Sequence, residues 1–141
     1  MANTPVLVLD SFALLAFFQD EPAAAPVADL LRRADAGEVR LTMTVANMGE
    51  VVYRTIRQHG FGQAQEVLGR LEEYDIEMVD IDRELALSAA HLKGLHRMAY
   101  ADCMAAALAQ RVDGAVVTGD PDFRQVEDVV SIEWLPAANV R

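Results

Sequence analysis

Short apolar segments alternate with longer amphipathic segments along the whole chain. Residues 6–9, VLVL, form a continuous apolar run, which predicts a strand buried on both faces, as in a parallel sheet. Residues 41–44 predict a second strand, and the alternating pattern of residues 76–81 predicts a third. Two further short strands are predicted at residues 115–117 and 131–134. The hydrophobic pattern therefore predicts a sheet of short strands distributed over the whole sequence.

The segments between these strands have apolar residues at helical spacing. They predict helices at residues 11–18, 27–36, 45–60, 63–73, 82–97 and 100–112. The EPAAAP stretch separates the first two helices, Gly37 ends the second, and Asp82 is a predicted N-cap. Strands that alternate with helices predict an α/β fold with a mostly parallel sheet. No linker, repeat or low-complexity segment interrupts the pattern, so we expect a single domain over residues 1–141.

The composition narrows the class of protein. The chain has 141 residues, 52% of them hydrophobic, which is typical of a globular domain with a sizeable core. No apolar run reaches the roughly 18 residues that a membrane span requires. The first residues, MANTPVLVLD, lack a basic segment and a cleavage-like site, so we expect no signal peptide and a cytoplasmic location. The single cysteine, Cys103, excludes an internal disulfide and fits a reducing compartment.

The charge is strongly negative but unevenly distributed. A net charge of -10 argues, taken alone, against a nucleic-acid-binding protein, which usually has a basic surface. Residues 85–101, however, contain no acidic residue, and they include His91, Lys93, His96 and Arg97. A second small basic group consists of Arg54, Arg57 and His59. Basic groups of this kind are more often solvated helix faces than binding sites. Contact between these residues and a phosphate backbone is the alternative.

Carboxylates follow two of the predicted strands at the point where each strand ends. Asp10 comes directly after the first strand, and Asp120 comes after residues 115–117. Parallel strands bring both to the carboxyl edge of the sheet, where open α/β folds bind ligands. Glu50 lies in the second turn of one helix, and Asp102 lies in the first turn of another, among apolar and small residues. A buried carboxylate without a partner is costly, so Asp102 needs a reason to be there.

A divalent cation would supply that reason. Several carboxylates within a few ångströms repel one another unless a cation neutralises them, and Mg²⁺ and Mn²⁺ prefer oxygen ligands. Such a cation orients a water, lowers its pKa and stabilises charge on a phosphodiester. Each acid also has an ordinary explanation. Asp10 is a possible helix cap, Asp120 and Asp122 are possible turn formers around Pro121, Glu50 is a possible solvated residue, and Asp102 suits a helix N-terminus.

The ordered set of motifs resembles the PIN-domain nucleases. Asp10-Ser11 follows the first strand, NMGEVVY contains Glu50, YADC contains Asp102, and TGDPDF contains Asp120. The resemblance is strongest to the VapC-like toxins of bacterial toxin–antitoxin pairs. It implies a three-layer α/β/α sandwich with a mostly parallel sheet and an acidic site that holds Mg²⁺ or Mn²⁺. It also implies a small VapB-like antitoxin as a partner, with an arginine-bearing tail that would suit the acidic site, and a homodimer.

The resemblance assigns roles to particular residues. The implied catalytic and metal-binding acids are Asp10, Glu50, Asp102 and Asp120. Asp122 is a weaker metal ligand, and positioning roles are expected for Ser11, Asn47 and Thr118. The acid-free segment, and not the resemblance, suggests substrate binding by Lys93, His96 and Arg97, which with His91 lead into Asp102 and could line the approach of a phosphate backbone. Phe12 is a departure, since many relatives have a smaller or polar residue there, and we expect it to narrow the mouth of the site.

The expected function is that of a metal-dependent endoribonuclease toxin that cleaves RNA phosphodiesters. One alternative is a non-catalytic PIN-like module used for binding or oligomerisation. Another is a haloacid-dehalogenase-like phosphatase, but that class requires a second aspartate two positions after the first, where this chain has Phe12. The apolar helix surfaces around Leu30, Leu31 and residues 67–71 are candidate dimer interfaces, although core packing explains them equally well.

Overall fold

The computed structural model describes residues 4–138 and contains a five-stranded parallel sheet. The strands are β1 Val6–Leu9, β2 Arg40–Thr44, β3 Ile76–Val79, β4 Ala115–Thr118 and β5 Ser131–Trp134. Their order across the sheet is β3-β2-β1-β4-β5, so β1 lies at the centre. Every neighbouring pair is parallel. All five carboxyl ends therefore lie at one edge of the sheet.

Helices cover both faces of this sheet. They are α1 Ser11–Phe18, α2 Ala24–Asp35, α3 Val45–His59, α4 Phe61–Glu73, α5 Arg83–Leu95 and α6 Tyr100–Arg111, with a 3-10 helix at Pro121–Val126. Leu7 and Leu9 of β1 pack with α1 to α4 on one face, whereas Val8 packs with α5 and α6 on the other. This side-chain alternation produces two cores. The predicted three-layer α/β/α sandwich is confirmed.

The strand register brings the predicted site residues to the same edge. Leu9, the last residue of β1, lies opposite Val117 of β4, so Asp10 and Thr118 are neighbours at the carboxyl edge. On the other side of β1, Val8 lies opposite Thr42 of β2, and α3 begins directly after Thr44. Short connections from strand to helix then place the first turns of α1 and α3 above this edge.

Several predicted element boundaries were wrong. Helix α2 begins at Ala24 and not at residue 27, because Pro26 occupies the first helical turn, where a backbone N–H has no helical partner. Helix α4 begins at Phe61, since Gly60 has a φ of 89° and turns the chain directly into the helix. Helix α5 ends at Leu95 and not near residue 97, because His96 is extended, and β3 ends at Val79 instead of residue 81.

For the two helix surfaces considered as dimer interfaces, the structure supports the alternative of core packing. Leu30, Leu31, Val67 and Leu71 are each at most 7% exposed and belong to the core between α1, α2, α3 and α4. Their helical spacing reflects packing against the sheet and is already satisfied within the chain. Among residues 4–138, no helix combines the length and the hydropathy needed to cross a membrane.

A backbone contact at the start of β4 gives a prediction for stability. A Cβ atom on Gly114 would lie 2.1 Å from the carbonyl oxygen of Val6 in β1. Gly114→Ala should therefore push the two central strands apart and lower the free energy of unfolding by about 1–3 kcal/mol or more. Urea unfolding would measure the loss. Gly69→Ala, in an open position of α4, is the matched control and should be neutral or stabilising, by up to about 1 kcal/mol. Equal stability of both variants would contradict the contact.

Candidate metal centre

Asp10 lies at the junction between β1 and α1. It is the N-cap of α1, and its Oδ1 accepts a hydrogen bond of 2.9 Å from the backbone N–H of Ala13. The structure therefore confirms that Asp10 caps α1, as the sequence suggested. Capping does not account for the burial of Asp10, which is only 1% exposed. A second hydrogen bond, from the hydroxyl of Thr118, reaches the same carboxylate from β4.

Asp120 and Asp122 lie in the turn after β4. Asp120 caps the 3-10 helix, because its Oδ1 accepts a hydrogen bond of 2.9 Å from the N–H of Asp122. Thr118 fixes this turn as well, since its Oγ1 accepts a hydrogen bond of 3.0 Å from the N–H of Asp120. The threonine thus contacts the carboxylate of Asp10 and the backbone of Asp120 at once. One hydroxyl group ties together the ends of the two central strands.

Asp102 completes a compact group of carboxylates. It is the third residue of α6, at the positive end of the helix dipole, and it is 8% exposed. Carboxylate oxygens of Asp102, Asp120 and Asp122 all lie within 4.8 Å of one another. The alanine-rich sequence of α6 lets this helix approach the sheet closely, since its neighbours Cys103 to Ala109 are all buried. Close packing thus brings the acid of α6 to the turn after β4.

Glu50 approaches this group from α3. Its charge raises the pKa of Asp102, so it acts on the same site. Arg54, one turn further along α3, lies 3.4 Å from Glu50, from Nη1 to Oε2, and it lowers the pKa of Asp102. Glu50 and Arg54 are four residues apart, a spacing that favours an ion pair on a helix. Sequence reasoning placed Arg54 only in a basic group and missed this contact. The spacing of four residues was the signal that could have revealed it.

The electrostatics of the site show the cost of bringing these acids together. The pKa of Asp10 is raised to about 8, mainly by burial and also by the charges of Asp102 and Asp120, although hydrogen bonds from Thr118 and Ala13 lower it. Burial also raises the pKa of Asp102 to about 7, with contributions from Asp120, Glu50 and Asp122. Both carboxyls therefore hold protons near neutral pH unless a positive charge compensates them.

The chemistry of this donor set fits a hard divalent cation. All five acidic side chains offer oxygen, and neither histidine nor cysteine contributes to the group of three carboxylates. Oxygen ligands of this kind suit Mg²⁺ or Mn²⁺ and disfavour Zn²⁺, which prefers nitrogen and sulfur. Asp102, Asp120 and Asp122 are close enough together that they could hold such a cation. Asp10 and Glu50 lie around them and add negative charge.

The predicted positioning residues occupy buried places near the site. Ser11 is the first residue of α1 and is 4% exposed. Asn47 is fully buried in the first turn of α3, where its Oδ1 accepts a hydrogen bond of 2.6 Å from the Thr44 hydroxyl. Its Nδ2 has no hydrogen-bond partner within residues 4–138. The structure gives Asn47 no hydrogen bond to Glu50, so its predicted role in orienting that carboxylate stays a prediction.

The predicted substrate-binding residues lie on the last turns of α5 and in the link to α6. His91 and Arg97 are exposed, and His96 is half-buried. The ammonium of Lys93 donates a hydrogen bond of 2.8 Å to the carbonyl of Met98, which braces the link. The backbone of Arg97 is held by Gln125 of the 3-10 helix, which bonds both its N–H and its carbonyl, at 3.0 and 3.2 Å. Sequence reasoning missed Gln125, and nothing in its local pattern marks it.

Phe12 lies against the turn that carries Asp120. A Cβ atom on Gly119 would approach the ring of Phe12 to 2.4 Å, so the ring packs directly on this glycine. The expectation that Phe12 narrows the mouth of the site stays a prediction, and its position beside Gly119 supports it.

The raised pKa values predict how stability depends on pH. A carboxyl whose pKa is higher in the folded state binds its proton more tightly there, so metal-free protein should lose stability as pH rises from about 4 towards 8. Asp82, whose pKa is lowered by its hydrogen bond with Arg111, affects only the more acidic range. Melting temperatures in EDTA should fall between pH 5 and pH 8.5, and saturating Mn²⁺ should reduce the fall. A flat profile in EDTA would contradict the assignment of these pKa values.

The fold and the site together define a class of protein: an α/β/α sandwich with a cluster of carboxylates, whose oxygens fit a divalent cation, at the carboxyl edge of a parallel sheet. The sequence matches the PIN domain family over residues 7–129, which is most of the chain. The chain belongs to the PIN domain family, as its motifs predicted. No curated protein matches the chain in sequence.

Solved structures of toxin–antitoxin proteins share this fold. VapBC2 from Rickettsia felis, bound to a DNA fragment from its promoter, aligns with a TM-score of 0.70 at 13% identity, covering 92% of this chain and 98% of that chain. VapC20 from Mycobacterium tuberculosis, a toxin that cleaves the sarcin-ricin loop, has a TM-score of 0.68 at 14% identity, with 86% and 94% covered. DNA-bound VapBC from Salmonella typhimurium has a TM-score of 0.68 at 16% identity, with 92% and 97% covered. At these identities the likeness establishes the fold alone.

Proposed function

We propose that this chain is a metal-dependent endoribonuclease and acts as the toxin of a toxin–antitoxin pair. The observation that carries the proposal is the convergence of acids from four separate segments on one edge of the sheet, in a chain of the PIN domain family. Burying two of these carboxylates beside the others costs stability, as the raised pKa values of Asp10 and Asp102 indicate. Sites that reduce stability in this way are characteristic of function.

The chain's own residues have distinct tasks in this proposal. Asp102, Asp120 and Asp122 hold a Mg²⁺ or Mn²⁺ ion, and Asp10 and Glu50 complete the negative surroundings. When bound, such an ion activates a water and stabilises the charge that develops on a phosphodiester. Thr118 keeps the end of β1 and the turn after β4 in register. Arg54 limits the net negative charge beside Glu50.

The substrate and partners follow from the family and from the chemistry of the site. The exposed Arg97 and the neighbouring His96 are suited to contact an RNA backbone, whereas the ammonium of Lys93 is engaged by Met98. The shared fold supports a VapB-like antitoxin as partner, because solved structures with this fold include a toxin–antitoxin complex and a member of the VapBC family of toxin–antitoxin systems. An arginine on the antitoxin would pair with the acidic site. A homodimer and a cytoplasmic location belong to the same proposal.

Removal of metal provides the direct test. Purified protein should cleave single-stranded RNA in Mn²⁺ or Mg²⁺, and EDTA should abolish cleavage, since the acids alone lack an electrophile. Calorimetric titration with Mn²⁺ would show binding independently of activity. Cleavage that persists in EDTA would exclude the metal-dependent mechanism. Metal binding without cleavage of any cellular RNA would favour a non-catalytic PIN-like module.

A further inference from the structure

A second cavity lies next to the metal centre, on the side of α1 and α3. It has a volume of about 120 Å³, and its walls include Phe12, Gln19, Glu21, Arg54 and Gln58. Two of these residues also contact the metal centre. Phe12 packs on Gly119, beside Asp120, and Arg54 pairs with Glu50. The cavity and the acidic site therefore share Phe12 and Arg54 as a common wall.

The walls of this cavity suit a neutral planar ring with polar edges. Phe12 offers an aromatic ring that is only half-buried, and such rings stack on unpaired bases. The side-chain amides of Gln19 and Gln58 are joined by a hydrogen bond of 2.8 Å, from Nε2 of Gln19 to Oε1 of Gln58. This bond uses neither the Oε1 of Gln19 nor the Nε2 of Gln58, which are an acceptor and a donor. Glutamine reads base edges through such a pair of groups.

The charge of the cavity argues against a phosphate as its occupant. Among residues 4–138, Arg54 is the only cation that lines the cavity, and Glu21 lines it too, so the formal charges of these two residues cancel. Arg54 is also paired with Glu50. A phosphate would meet no net positive charge there, whereas a base would gain stacking and hydrogen bonds without a charge penalty.

We propose that this cavity binds one unstacked base of single-stranded RNA, adjacent to the phosphate at the metal centre. The identification of RNA as the ligand rests on the proposed function. The cavity then gives the site a preference for a base at one position beside the cut, and Phe12, Gln19 and Gln58 determine that preference. This role extends beyond that of the acids, which act on the phosphate through the cation and cannot distinguish one base from another.

Binding measurements separate this inference from catalysis. In the Asp102→Asn background, fluorescence anisotropy would give Kd for fluorescein-labelled ten-nucleotide RNAs of adenine, cytosine and uracil, and for an abasic strand of equal length. The RNA with the preferred base should bind more tightly than the abasic strand. Gln58→Ala and Phe12→Ala should each raise its Kd about tenfold, as the loss of one stacked or hydrogen-bonded base predicts, and should leave the abasic Kd unchanged. Gln65→Ala, an exposed position on α4, is the matched control.

Sequencing of RNA ends in proteins with an intact Asp102 completes the test. In Gln58→Ala, the ratio of cleavage at the preferred base to cleavage at the other bases should fall at least tenfold, and the affinity for Mn²⁺ should be unchanged. If wild-type protein cleaves and both the preference and the Kd values are unaltered in the cavity variants, the inference is overturned and the nuclease stands. If base-dependent binding is lost in the variants but no RNA is ever cleaved, the cavity stands and the nuclease proposal fails. Equal affinity for abasic and base-containing RNA in every variant also overturns the inference.

Discussion

Asp102→Asn is expected to abolish RNA cleavage and, at the same time, to stabilise the metal-free protein at pH 8. Asparagine has the same shape as aspartate, so packing around the first turn of α6 should persist. The substitution removes one member of the group whose oxygens lie within 4.8 Å of one another. Weaker metal binding should reduce the stabilisation of the transition state by several kcal/mol. We therefore expect the rate of cleavage to fall at least about 10³-fold.

The gain in stability has the opposite sign because the charge of Asp102 is unfavourable in the fold. Burial and the neighbouring acids raise the pKa of Asp102 to about 7. At pH 8 its carboxyl is therefore ionised, and this charge is less favourable in the folded state than in the unfolded state. Removing the charge should add about 1–2 kcal/mol to the free energy of unfolding, or roughly 3–8 °C in Tm. The gain should shrink as pH falls through the folded pKa of about 7, and it should vanish only below about pH 4, where the carboxyl is protonated in the unfolded state as well.

A matched control separates the site from a general effect of charge. Asp128 is exposed and lies before β5, at the opposite edge of the sheet. Asp128→Asn makes the same change in net charge and should leave cleavage and the pH profile of Tm unaltered. Metal-dependent cleavage by Asp102→Asn at the wild-type rate would exclude Asp102 from the site. A lower Tm at pH 8 would show that its carboxylate stabilises the fold, contrary to its raised pKa.

The fold was predictable because local pattern and global architecture agree. The VLVL run of β1 is buried on both faces, as its continuous hydrophobicity indicated, and parallel strands require the helices found between them. The ends of helices were less predictable where a residue is compatible with two positions in or beside a helix. Pro26 breaks a helix in its interior but is accommodated in a first turn, and the choice depends on how α2 packs against the sheet.

The site was predictable only as far as strand ends and helix starts determine it. Asp10 and Asp120 had to meet once β1 and β4 were parallel neighbours, and the PIN-like motifs indicated where Glu50 and Asp102 would join them. Contacts between segments far apart in sequence gave no such signal. The bonds between Gln125 and Arg97, and the packing of Phe12 on Gly119, depend on tertiary geometry that no local pattern encodes.

Phe123→Ala is expected to produce the largest loss of stability and to weaken metal binding with it. Phe123 follows Asp122 in the 3-10 helix and is fully buried in the core formed by α5, α6 and the sheet. Truncation of a buried phenylalanine typically costs about 3–5 kcal/mol, which is a large part of the roughly 5–15 kcal/mol that holds a domain together. Urea unfolding should show this loss in EDTA, where metal makes no contribution.

The effect on metal follows because Phe123 anchors the turn that carries two of the acids. Asp120 and Asp122 are held through the cap of the 3-10 helix, and that helix is fixed to the core by Phe123 and Val126. A looser anchor lets both carboxylates move apart under their mutual repulsion, so Kd for Mn²⁺ should rise even in the folded fraction. Phe123→Leu, which keeps most of the volume, should cost less than about 1.5 kcal/mol and preserve the Kd. If Phe123→Ala unfolds more easily but binds Mn²⁺ as tightly as wild type, the turn is held by its own hydrogen bonds, and the core does not position the metal centre.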